Sequence, residues 1–150
     1  MAQTLTALLV HVVFSTKDRR PLITPDLEPR LHGYIGGVCR GNGSVLVASG
    51  GTEDHVHLLI SLSKTMCIAD LLLEIKRDSS AWTKSVGREH AGFHWQDGYG
   101  AFTVGMSQVP ALRRYFARQK EHHRTQGFRE ELLTLLKRYQ VEFDEQFLWD

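Results

Sequence analysis

The sequence predicts an α+β fold: a ferredoxin-like (RRM-like) four-stranded antiparallel sheet with helices packed on it. Three observations carry that expectation. Apolar segments of strand length and amphipathic segments of helix length follow one another in the order β-α-β-β-α-β-α. The second and third strands are separated only by a short glycine-containing turn, which makes them antiparallel neighbours. The composition, 42% apolar and 23% charged over 150 residues, excludes disorder and suits a single domain spanning residues 1–150.

Leu5–Ser15 is rich in Leu, Val and Phe and reads as a buried strand, ended by Thr16-Lys-Asp-Arg-Arg20 and Pro21. Thr24 is the expected N-cap of a first helix, with Pro25 at its first position. Leu27, Leu31, Tyr34, Ile35 and Val38 form its apolar stripe to about Cys39, and Pro29 is a candidate kink. Gly41-Asn-Gly43 stops the helix, Ser44–Ser49 is the second strand, and Gly50-Gly51 is the expected turn into a third strand, Asp54–Leu62. Met66–Ser85 carries Ile68, Leu71, Leu72, Ile75 and Ser79 at helical spacing. His90–Gly98 reads as a loop and Tyr99–Gly105 as the fourth strand. Ser107 is the expected cap of a helix with Pro110 in its first turn, running to about Arg124; a last helix spans Phe128–Gln140.

The formal net charge of +1 does not announce a nucleic-acid binder, but its distribution is uneven. Six basic residues against Glu121 alone lie between Arg113 and Arg129, and the balance reverses from Glu130 onward. A basic segment followed by an acidic tail suggests a local anion-binding surface, the alternative being a solvated helix face. Cys39 and Cys67 form no metal or redox motif and suit a reducing compartment. The apolar run Leu5–Phe14 is too short for a membrane span, so a cytoplasmic protein is expected.

Two short motifs carry chemistry. His55-Val-His57 puts both imidazoles on one face of a strand, because strand side chains alternate. Eight histidines in 150 positions give roughly 0.4 such pairs by chance, so the motif alone is weak. Its setting strengthens it, since an apolar strand tolerates two imidazoles poorly unless something satisfies them. Tyr115 and Gln119, four apart, share a face of a helix. Brought together, two imidazoles and an amide oxygen could hold a divalent cation, Mg²⁺ or Mn²⁺, beside a phenol. A phenol with pKa near 10 attacks phosphorus only with assistance, which a Lewis-acidic ion provides by polarising the phosphate. Lys76, Arg77, Arg113 and Arg118, on the second helix and the tyrosine helix, are the candidate phosphate contacts.

With these residues in view, the chain resembles the single-tyrosine HUH transposases of insertion-sequence-200-like elements and their REP-associated relatives. The similar segments run along nearly the whole length: HVVFSTKDRRPLI, DHVHLLISL, EIKRDSSAW, FHWQDGYGAFTVG, YFARQKEHH and FDEQFLWD. The resemblance implies an HUH endonuclease fold, with His55, His57 and Gln119 as metal ligands and Tyr115 as nucleophile. It further implies single-stranded DNA with hairpins as substrate, a covalent 5′-phosphotyrosine, and a homodimer whose active sites are shared between subunits. Glu53 stands where the family often has Pro, and Arg118 where Asn often precedes the Gln. A histidine-triad nucleotide hydrolase needs a third histidine where this chain has Leu59. A non-catalytic or domesticated nucleic-acid-binding protein of the same fold is the remaining alternative, distinguished by its inability to trap DNA covalently.

Overall fold

Strand β1 (Leu9–Ser15) lies at the centre of the sheet because it pairs on both sides, with β3 (His55–Ser61) and with β4 (Gly100–Thr103). Strand β2 (Val45–Gly51) pairs with the far edge of β3, giving the order β2-β3-β1-β4 with every pairing antiparallel. The computed structural model describes residues 2–150. Its helices are α1 (Leu27–Gly41), α2 (Ile68–Ser85), α3 (Val109–Ala117), α4 (Gln119–His122) and α5 (Phe128–Arg138). This is the expected four-stranded α+β layer.

Alternation of side chains divides the sheet into two unlike faces. Val12, Phe14, Val56, Leu58 and Ile60 meet Leu27, Leu31 and Ile35 of α1 and Leu71, Leu72 and Ile75 of α2 in one apolar layer. Each fully buried side chain of this kind contributes roughly 1.5–3 kcal/mol, so this layer carries most of the stability. The opposite face presents His11, Val13, His55, His57 and Leu59 to α3 and α5. It is covered by apolar residues of those helices, but its centre is polar and buried.

Several element boundaries differ from the sequence expectation, each for a local reason. Strand β1 begins at Leu9, where its partner β3 ends at Ser61; the Leu8 carbonyl still accepts the Leu62 amide, but the side chains of Leu5 and Leu8 are exposed. Helix α1 starts at Leu27 without a side-chain cap, and the Thr24 carbonyl accepts the Glu28 amide instead. Pro29 falls in the first turn, where amides lack intrahelical acceptors, so it causes no break. Ser107 makes no cap bond; it sits in a 3-10 turn that Gln108 closes onto the Gly105 amide. The tyrosine helix does not run unbroken to Arg124: Arg118 leaves helical geometry and separates α3 from α4.

Gly50 and Gly51 are the most consequential correction. They are strand residues, opposite His57 and Val56, after an irregularity between Leu46 and Ala48 shifts the register. The turn lies instead at Thr52–Asp54, where the Thr52 amide donates to the His55 carbonyl. A Cβ at Gly50 would come within 2.5 Å of the Phe116 carbonyl oxygen, so glycine lets α3 lie directly on β2. Gly51 has φ +152°, and a Cβ there would meet the His55 carbonyl at 2.3 Å.

Candidate active site

His55 and His57 project from one face of β3, fully buried, and their outer nitrogens are already engaged. Nδ1 of His55 bonds Asp54 Oδ1 at 2.7 Å and Thr52 Oγ1 at 2.9 Å. Nδ1 of His57 bonds Nε2 of His11, on the neighbouring strand, at 2.8 Å. Anchored in this way, both rings turn Nε2 toward the same point, the arrangement in which a partner on one nitrogen orients the other toward a metal.

Glu131 of α5 stands at that point. Its Oε1 lies 2.9 Å from His57 Nε2, 3.0 Å from His123 Nε2 and 3.5 Å from His55 Nε2. Its Oε2 accepts from Gln119 Nε2 at 3.1 Å and from the Tyr115 hydroxyl. Gln119 also brings Oε1 to 3.0 Å from His55 Nε2. The structure therefore assembles His55, His57, Gln119 and Tyr115, the four residues picked from the sequence, around a carboxylate that was not.

The charge states follow from these contacts. Burial, then the neighbouring imidazoles, lowers His57 to about 4, and burial with His57 lowers His11 to about 3, so both are neutral at pH 7. Burial also opposes protonation of His55, but its bonds to Asp54 and Glu131 outweigh it and raise the group to about 9. Glu131 is buried, which favours its neutral form, yet hydrogen bonds from His123, His55 and His57 hold it well below the usual carboxylate range. Burial and the bond to Glu131 push the Tyr115 phenol above its ordinary value. The centre is thus anionic at Glu131 and built to hold positive charge, while its phenol stays protonated until assisted.

Donor spacing supports a metal. One ligand atom each from His55, His57, His123 and Glu131 lie within 4.8 Å of one another. Bonds of about 2.0–2.2 Å place donors on one ion about 3 to 4.4 Å apart, so a small inward adjustment suffices. Beside the centre, α3 and α5 enclose a cavity of about 530 Å³ whose wall includes Leu112, Tyr115, His122, Glu131, Arg138 and Tyr139. The hydroxyl of Tyr115 is therefore reachable from a space of nucleotide size.

The four cations picked from the sequence do not share one location. Arg113 and Arg118 are exposed on and just after α3. Lys76 and Arg77 belong to α2, across the sheet, so they do not flank the histidines. Lys76 Nζ donates to the carbonyls of Gln96, Asp97 and Gly98 at 2.6–3.0 Å, and burial lowers it to about 8. Arg77 pairs with Glu74 and Asp78.

Glu131, His11 and Asp54 escaped the sequence reading. A signal existed for Glu131: it lies on the apolar stripe Phe128, Leu132, Leu135 and Leu136, where an unpaired carboxylate is costly. His11 gave a similar signal inside an apolar strand.

Residues 4–119 match the family model described as transposase, IS200 like. The chain belongs to the IS200-like transposase family. Two solved structures share the fold of this transposase. A presumed transposase from Deinococcus radiodurans R1 is 22% identical, with a TM-score of 0.63 over 79% of this chain and 95% of that one. A REP-associated tyrosine transposase bound to a REP hairpin is 14% identical, with a TM-score of 0.62 over 82% and 72%. No curated protein matches the sequence at comparable significance. The family match ends at Gln119, so His123 and Glu131 reach the centre of this transposase from the segment that follows it. Among the described residues no helix is long and apolar enough to cross a membrane.

Proposed function

We propose that this transposase cleaves and rejoins single-stranded DNA at hairpin-marked element ends through a covalent 5′-phosphotyrosine on Tyr115. The observation that carries the reading is the meeting of the Tyr115 hydroxyl with His55, His57 and Gln119 around one buried point beside the cavity. A divalent cation, Mg²⁺ or Mn²⁺, held by His55, His57 and Gln119, would polarise the scissile phosphate as a Lewis acid. Tyr115 Oη bonds to phosphorus as the bond to the 3′ oxygen breaks. The phenol proton finally resides on the freed 3′ hydroxyl, and Glu131 Oε2 orients the phenol through the hydrogen bond it accepts. One phosphodiester is exchanged for another, so rejoining requires no external energy source. Support for a hairpin substrate comes from the shared fold of the REP-hairpin-bound relative. The deciding experiment is the trapping of a hairpin oligonucleotide on the chain under denaturing conditions.

Arg113 and Arg118 are the proposed contacts to the DNA backbone, with Arg138 at the cavity wall as a third. Alanine at Arg113 and Arg118 should weaken binding regardless of sequence and flatten the salt dependence by roughly one ion per lost contact. Alanine at Lys76 and Arg77 should leave that slope unchanged. The reverse pattern, read by fluorescence anisotropy across salt concentrations, would move the DNA to the α2 face.

The resemblance also implies a homodimer with shared sites. Within one chain Tyr115 already meets its own His57, ring centroids 5.6 Å apart. In the shared arrangement α3 and α4 would pass to the partner by bending near Gly105 and Gly127. Mixing Tyr115→Phe with His55→Ala/His57→Ala subunits should restore one working site per heterodimer if the helices are exchanged. A dead mixture in which heterodimers demonstrably form would assign both halves of the site to one chain.

A further inference from the structure

The buried carboxylate of Glu131 has no lysine or arginine partner among the described residues. Its neighbours are the imidazoles of His55, His57, His122 and His123, an amide and a phenol. It is 1% exposed on a helix face otherwise given to Phe128, Leu132 and Leu135, where a charge costs several kcal/mol unless well compensated. Its two oxygens are used differently. Oε1 faces the imidazoles of His57, His123 and His55, whereas Oε2 faces Tyr115 and Gln119.

We infer that Glu131, with His123, completes the metal centre from beyond the family-matched segment: Oε1 is a donor to the cation while Oε2 holds the Tyr115 hydroxyl. The inference rests on the reading of this site as a metal centre. Chemistry favours it. His55, His57 and Gln119 are neutral donors and leave a double positive charge uncompensated in a buried site, whereas one carboxylate halves it. Carboxylate oxygen is also the donor that hard cations such as Mg²⁺ and Mn²⁺ prefer. In this arrangement α5 sets the distance between ion and nucleophile through a single side chain.

Titration calorimetry with Mn²⁺ alone, on the full chain, tests this without reference to DNA cleavage. Replacing a partner that merely orients a ligand typically costs 10–100-fold in metal affinity. Glu131→Gln, which removes the charge and leaves the poorer amide donor, should therefore exceed that range and weaken Mn²⁺ binding by more than about a hundredfold, and His123→Ala by less. A loss of only about 10–100-fold would mark an orienting partner and overturn the donor role. Glu131→Leu leaves His57, His123, Gln119 and Tyr115 without their shared acceptor, so it should lower the thermal midpoint and also lose Mn²⁺ affinity. A purely structural role lowers the midpoint in the same way but keeps affinity within about twofold, and overturns the inference. Should the glutamine variant not fold, anomalous diffraction from a Mn²⁺-soaked crystal of the unaltered chain decides. An ion in contact with a Glu131 oxygen supports the inference, and an ion on His55, His57 and Gln119 with Glu131 out of contact overturns it. If the unaltered chain binds no Mn²⁺ at all, the metal-centre reading fails and takes this inference with it.

Discussion

Tyr115→Phe is expected to bind a single-stranded hairpin oligonucleotide as tightly as the unaltered chain and to form no covalent adduct on a denaturing gel. The substitution removes one oxygen and keeps the ring, whose edge packs against His57 at a centroid distance of 5.6 Å. Glu131 Oε2 retains the Gln119 amide as a donor, so the stability loss should be about 1 kcal/mol. Activity has no such reserve. Removing the attacking atom of a hydrolase costs on the order of 10⁶ in kcat, and among the described residues no other phenol bonds Glu131. An adduct retained by the variant would assign the nucleophile elsewhere. Loss of binding together with loss of the adduct would show instead that the tyrosine helix had shifted.

His57→Ala should be the more damaging change, because it strikes chemistry and fold together. It deletes a proposed metal donor, so metal affinity and metal-dependent cleavage should fall by about a hundredfold or more. It also strands Nε2 of His11 and removes one donor to Glu131 Oε1, each a buried polar group. An unsatisfied buried group costs about 1–3 kcal/mol, and for a chain of this size each kcal/mol lowers the melting midpoint by about 2–4 °C. A drop of roughly 5–15 °C is therefore expected by differential scanning calorimetry. His55→Ala should lose activity to the same degree. Cleavage by the unaltered chain that persists in excess EDTA would exclude the mechanism for both.

The parts of the molecule that could be read from sequence are those with periodicity. Alternation along β3 put His55 and His57 on one face, and the 3.6-residue stripes of α1 and α2 marked the two helices of the main apolar layer. Tyr115 and Gln119 were legible as a pair, although Arg118 breaks the helix between them, because the break is too slight to part their side chains. Glu131 went unread although it falls on the apolar stripe of α5, because next to Glu130 in the first turn it passes for one of two solvated acids until the helix is docked. The Gly50-Gly51 pair misled for a related reason. Glycine marks both a chain reversal and a close approach, and only the neighbour that approaches, here Phe116 and His55, tells which.

That close approach at Gly50 has a mechanical meaning. At Gly50 the tyrosine helix meets its bed at main-chain distance, while the side chains of Phe116, Leu112 and Val109 pack around that point in one cluster with Val47, Ala48 and Leu59. A joint of that kind has almost no play. Because Phe116 follows Tyr115 directly, even one methyl group at Gly50 should shift the proposed nucleophile. Reaction rate in this enzyme could therefore be retuned from a position that touches neither DNA nor ion, by changing how high the helix stands.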